Sequence, residues 1–168
     1  MSDTPTRAEA LEKLADLIQD IRFAMLVTHD TTIGSLRGRP MATVNKDFAD
    51  GKIYFFTSKD EPKVMEAMRD PGVCLAYADP GSNNYVSVSG SATLSTDRAL
   101  LEKFYNPFVK AWFPEGLDDP TISLLIIDIE HAEYWDSPSS TLIQLYGLAK
   151  VMLTGTPPEG GENEKLAL

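Results

Sequence analysis

The sequence predicts a mainly β protein with helices (α+β), an antiparallel barrel or sandwich carrying appended helices. Three observations predict it. Six short apolar runs rich in Val, Ile, Phe, Tyr and Thr recur along the 168 residues, which is strand chemistry. Turn signals separate several of them: Asp50-Gly51, Asp70-Pro71-Gly72 and Asp79-Pro80-Gly81. Only two helical excursions interrupt the series, whereas a doubly wound parallel sheet needs a helix after nearly every strand.

The elements follow in order. Thr6 to Asp20 reads as a helix, with Thr6 or Thr4 as cap and Glu9 placed for a capping box. Leu11, Leu14, Ala15, Leu17, Ile18 and Ile21 form its apolar stripe. Phe23–Thr28 is a buried strand, Asp30–Gly38 a polar turn, and Pro40–Asn45 a second strand. On that strand Met41, Thr43 and Asn45 share one face. Asp50-Gly51 then signals a hairpin into the strand Lys52–Ser58. Pro62 suits a first helical turn, so a short helix runs from there to Arg69. Val73–Tyr77 and Tyr85–Ser95 are the next strands, with Val86 and Val88 toward the core. Gly90 in mid-strand signals a bulge or a close backbone approach. A helix capped by Thr96 or Asp97 follows. Pro107 restarts a helix through Trp112, Phe113–Pro120 is a loop, and Ile122–Ile129 is a strand continuing through Trp135. Leu142, Leu145, Tyr146, Ala149 and Leu153 are at helical spacing. Residues 1–154 are expected to form one domain. The tail 155–168, rich in Gly, Pro and Glu, is expected to be disordered.

Composition narrows the function classes. The formal charge is −10 and the pI about 4.6, so a nucleic-acid backbone or an anionic membrane would be repelled. No apolar run approaches the ~18 residues of a membrane span, and the N-terminus has no apolar segment of a secretory signal. The single cysteine, Cys74, excludes an intrachain disulfide and fits a cytoplasmic protein. Cys74 lies on an apolar strand and reads as core packing, and His29 as a solvent or turn residue. No metal spacing, phosphate-loop motif or nucleophile triad is legible, so no catalytic residue is named.

The basic residues are unevenly spread. Six of the 15 Lys and Arg (Arg37, Arg39, Lys46, Lys52, Lys59, Lys63) fall between Arg37 and Lys63 with only four acids. The window is net +2 in an acidic chain. Solvated charges at strand ends would explain this equally well. The functional reading rests on Thr57 and Ser58, which end a strand just before Lys63 at a helix start. Hydroxyls, a helix N-terminus and a cation together suit a phosphate.

GRPMATV, IYFFTSKDEPKV, NYVSVSGSATL, KAWFPEGLDDP and AEYWDSP occur in that order between Phe23 and Pro138. This set resembles the general stress protein 26 branch of the pyridoxamine 5′-phosphate oxidase-like split barrels. The resemblance implies a six-stranded antiparallel split barrel forming a homodimer, with FMN, or FAD, at the subunit interface. It implies that Arg39, Thr57, Ser58 and Lys63 hold the flavin phosphate. Met41, Thr43 and Phe56 would line the isoalloxazine, and Tyr85, Trp112 and Trp135 would close the site. Packing in the core or dimer is the other reading of the two tryptophans. The vitamin B6 oxidases carry an Arg/His segment after the last strand, but no arginine follows Arg98 here. The expectation is therefore a flavin-binding stress protein with oxidoreductase capability, or a non-catalytic flavin carrier or sensor, rather than a pyridoxamine phosphate oxidase. A barrel without a ligand is the third reading.

Overall fold

In the computed structural model of the chain, residues 5–136, 162–166 and 168 are described. Three α-helices, α1 (Arg7–Ile18), α2 (Pro62–Arg69) and α3 (Arg98–Phe104), accompany seven strands. These are β1 (Phe23–Asp30), β2 (Ser35–Ala42), β3 (Lys52–Ser58), β4 (Gly72–Asp79), β5 (Asn84–Ser95), β6 (Ile122–Asp136) and β7 (Glu162–Leu166). All ladders are antiparallel, in the order β2-β1-β4-β5-β6-β3, and β7 also pairs β6. The two ends of the path, β2 and β3, meet at one isolated bridge, Thr43 to Phe55. The sheet therefore curls toward a barrel and stays split along that seam, as the expected split barrel requires.

Two apolar cores lie on either side of β3 and β6. Ile53, Phe55, Leu75, Val86, Leu125 and Ile127 fill the first, together with Leu11, Leu14 and Leu17 of α1. Tyr54, Leu124 and Ile126 point the other way, against Leu101 of α3 and Val109 and Phe113 of the following loop. Period-2 alternation puts neighbours in different cores, which is why both strands read as continuous apolar runs. The Thr6–Glu9 capping box forms and starts α1. Asp97 caps α3 through the amide of Leu100. Pro62 opens α2 at its first turn. A Cβ at Gly90 would lie 1.9 Å from the Asp128 carbonyl oxygen, and the β5–β6 register shifts there. Only glycine permits that approach.

Several expectations are corrected. The second strand is Ser35–Ala42, so Ser35–Gly38 of the expected polar turn is strand; it is an edge strand held by β1, and burial does not mark it. Asp50-Gly51 makes a turn, with Gly51 at φ 71°, but it does not join a hairpin ladder, because β3 pairs β6. The helix expected after Pro107 is one 3-10 turn, Val109–Ala111. Cys74 is half-buried beside Ser87, on the face opposite the buried Val73, Leu75 and Tyr77. Residues 162–166, expected to be disordered, form β7, whose first four residues are exposed and whose last, Leu166, joins the core. The rest of the tail apart from Leu168, and the helix expected over Ser139–Leu153, lie outside the described residues.

Candidate functional site

The split between β2 and β3 opens into a cleft of about 330 Å³, within the range of small-molecule sites. Its walls come from five segments. The end of β2 and its continuation give Pro40, Met41, Ala42 and Val44; the end of β3 gives Phe56, Thr57 and Ser58. The turn into α2 gives Glu61 and Lys63, and the loop after α3 gives Phe108, Val109, Trp112, Phe113, Asp119 and Thr121. Phe23 at the start of β1 completes it.

One set of groups is polar and under-bonded. Lys63 is 15% exposed, and its ammonium has one recorded partner among the described residues, the Glu61 carboxylate at 3.6 Å. The three donors of this ammonium, carried by a mostly buried side chain, thus have no close partner among the described residues. The Thr57 hydroxyl is buried and makes only a long 3.4 Å bond to the Ser58 carbonyl. The Ser58 hydroxyl accepts weakly from the Asp60 amide, at 3.4 Å. The second acid of the cleft is already occupied: Asp119 accepts from the Thr121 amide and hydroxyl at 2.8 and 2.7 Å. These bonds hold its carboxyl below the usual range.

The remaining wall is flat and apolar. Phe23 and Phe108 meet edge to face, with centroids 6.5 Å apart. The Arg22 guanidinium lies 3.5 Å over the Phe108 ring, a cation–π contact. Trp112 is 72% exposed at the cleft, an unusual position for an indole without a partner.

Six of the ten residues expected at the site are brought together: Met41, Phe56, Thr57, Ser58, Lys63 and Trp112. The other four do not line this cleft. Arg39 points under α2, donating to Glu66 at 2.7 Å and to Thr28 at 2.6 Å. The Thr43 hydroxyl is 2.8 Å from the Tyr77 hydroxyl. Tyr85 and Trp135 are opposite each other in the β5–β6 ladder, both half-exposed. His29 sits 3.2 Å from Asp70 at the end of β1. Sequence reasoning missed Phe23, Phe108, Phe113, Asp119 and Thr121. All of these but Phe23 lie in the NPFVKAWFPEGLDDPT run, whose aromatics show no regular period because the loop is irregular. No group of three or more His, Cys, Asp or Glu side chains able to hold a metal occurs among the described residues. No described helix is long and apolar enough to cross a membrane.

Comparison with known proteins gives a consistent result. The sequence profile of the family described as pyridoxamine 5′-phosphate oxidase like matches residues 9–159. A crystal structure of a protein described as general stress protein 26 from Jannaschia sp. CCS1 superposes with a TM-score of 0.75. It is 28% identical, over 96% of this chain and 99% of that one. The general stress FMN/FAD binding protein from Xanthomonas citri is 33% identical with a TM-score of 0.68, over 79% of this chain and 92% of that one. Protein bli-3 of Neurospora crassa is 26% identical over 89% of this chain and 75% of its own length.

Proposed function

The chain belongs to the pyridoxamine 5′-phosphate oxidase-like family, and from that premise we propose that it is an FMN-binding general stress protein with oxidoreductase capability. The observation that carries the reading is the asymmetry of the cleft. An under-bonded ammonium and two under-bonded hydroxyls lie at the β3–α2 junction, and flat apolar walls line the rest. That pattern suits a ligand with a phosphate tail and a planar ring. A similar protein that binds FMN or FAD supports it.

Lys63, Thr57 and Ser58 hold the phosphate, with Arg39 behind them. Lys63 exchanges its loose contact with Glu61 for the ligand's dianion. Met41, Phe56 and the loop aromatics exclude water from the ring, and Trp112 covers it. The flavin, when bound, supplies the electron chemistry.

A second copy of the chain completes the site. The outer face of β1, β4 and β5 carries Met25, Val27, Ala76, Ala78, Tyr85 and Ser87 without a charge, and Met25 and Tyr85 are 43% and 41% exposed. Such a face suits an obligate partner. The half-buried free thiol of Cys74 fits a reducing cytoplasm.

One feature favours a flavin carrier without turnover. The ionisable side chains of the cleft's described lining are Glu61, Lys63 and Asp119; the first two pair with each other and the third is bonded to Thr121, so each proton-transfer group is already engaged. Reduction of the loaded protein by NADH or NADPH in stopped flow separates the two readings. The underlying test is the 350–500 nm spectrum on adding FMN. Binding with quenched fluorescence supports the proposal, and no change at micromolar protein sinks it. Lys63→Ala should weaken FMN by about ten- to a hundredfold, as for loss of a charged hydrogen bond, and leave riboflavin nearly unchanged. Equal losses would place Lys63 away from the phosphate.

A further inference from the structure

The helix that carries Lys63 of the proposed phosphate seat also carries one member of a buried polar cluster outside the cleft, to which the proposed function gives no task. Glu66 on α2 is 7% exposed, and Thr28 on β1 is fully buried. The Glu66 carboxylate accepts from the Thr28 hydroxyl at 2.6 Å, from Arg39 at 2.7 Å and from Arg37 at 3.4 Å. A second nitrogen of Arg39 donates to the Thr28 hydroxyl at 2.6 Å. Arg37 reaches Asp30 as well, at 3.2 Å. One carboxylate therefore ties together a helix and two strands.

The charge state and the location both matter. Burial raises the carboxyl's pKa, but the bonds from Thr28 and Arg39 and the charge of Arg39 outweigh it, so Glu66 is held below the usual range and stays ionised. Lys63 is three residues earlier on the same helix, hence on the same side of α2. A fixed negative charge near the seat of a dianion is electrostatically unfavourable. It belongs there only if its geometric work exceeds that repulsion.

Resting on the flavin reading, we propose that Glu66 is the positioning residue of the phosphate seat. It locks the guanidinium of Arg39 on β2, and the helix that carries Lys63, into one arrangement. Neighbours that orient a binding group commonly matter nearly as much as the group itself.

The sign of the effect makes this testable. FMN and riboflavin are titrated by fluorescence quenching into the wild-type protein, Glu66→Gln and Thr28→Val, with the thermal midpoint of each. Glutamine keeps the shape and an acceptor oxygen but removes the charge. The proposal expects Glu66→Gln to weaken FMN by about tenfold or more, while riboflavin changes by less than about threefold. Thr28→Val should shift FMN in the same direction by less, and it carries the test if the glutamine variant does not fold. Tighter FMN in Glu66→Gln would show that Glu66 competes with the phosphate for Arg39, and would overturn the proposal. An unchanged FMN-to-riboflavin ratio with a lower thermal midpoint would reduce Glu66 to scaffold and overturn it too. Failure of the wild-type protein to bind either flavin would remove the proposed function first, and this inference with it.

Discussion

The two strands that border the split are held by different physics. β3 lies between both apolar cores: Ile53 and Phe55 point into one and Tyr54 into the other. On β2 only Met41 is buried, and its attachments are the β1 ladder and the Arg37 and Arg39 contacts to Asp30, Thr28 and Glu66. The ionic contacts of β2 lie under α2 and outside the cleft, where β2 presents Pro40, Met41 and Ala42 and β3 presents Phe56, Thr57 and Ser58. The difference means that distinct perturbations should loosen each wall.

The largest expected effect is on β3. Phe55 is fully buried at the one bridge across the seam among the described residues. Phe55→Ala should cost about 3–5 kcal/mol of unfolding free energy through lost burial and a cavity, read by urea denaturation. A cost below about 1 kcal/mol would mean that the barrel interior collapses readily, and the two walls would no longer be distinct in kind.

The same contrast explains what was legible. β3, β5 and β6 could be read closely from the sequence because their composition matches their burial. The first half of β2, SLRG, looks like a turn because pairing and ion contacts define it, and neither leaves a hydrophobic period. Asp50-Gly51 looks like a hairpin because turn chemistry is local, whereas β3's choice of β6 as partner is decided by the core. β7 was missed because ENEKL carries one core residue, Leu166. Within the site, Lys63, Thr57 and Ser58 were readable because a strand end and a Pro-started helix adjoin in sequence. Arg39's engagement with Glu66 was not, since it joins residues 27 apart whose proximity depends on where α2 packs. Tyr85 and Trp135 were named by family likeness, and the chain alone sets them on the outer face of β5 and β6.

A middle-sized effect should appear in pH. Glu66's folded-state pKa is lowered from an ordinary value of 4.5. Its stabilisation is therefore fully present above the unfolded value and is lost as pH falls through the folded one. The difference in thermal midpoint between wild-type protein and Glu66→Gln should be greatest above about pH 5 and shrink as pH drops below about 4.5. The deficit of Phe55→Ala should not follow that curve, because no titrating group is involved. Parallel curves for the two variants would erase the distinction between an ionic β2 and an apolar β3.

The smallest effect separates two arginines on one face of one strand. Arg37 and Arg39 are two residues apart on β2 and both reach Glu66. Arg37 is half-exposed and its contacts are 3.2 and 3.4 Å, while Arg39 is 18% exposed and its contact is 2.7 Å. Water and salt screen the first far more than the second. Arg37→Gln should cost no more than about 1 kcal/mol, and the cost should fade as salt is raised to roughly 0.5 M. Removing Arg39 leaves a buried carboxylate short of its strongest partner, a loss that salt does not relieve. Equal and equally salt-sensitive losses in the two variants would mean that solvent reaches Glu66, so that β2 rests on its ladder with β1 and not on the carboxylate of α2.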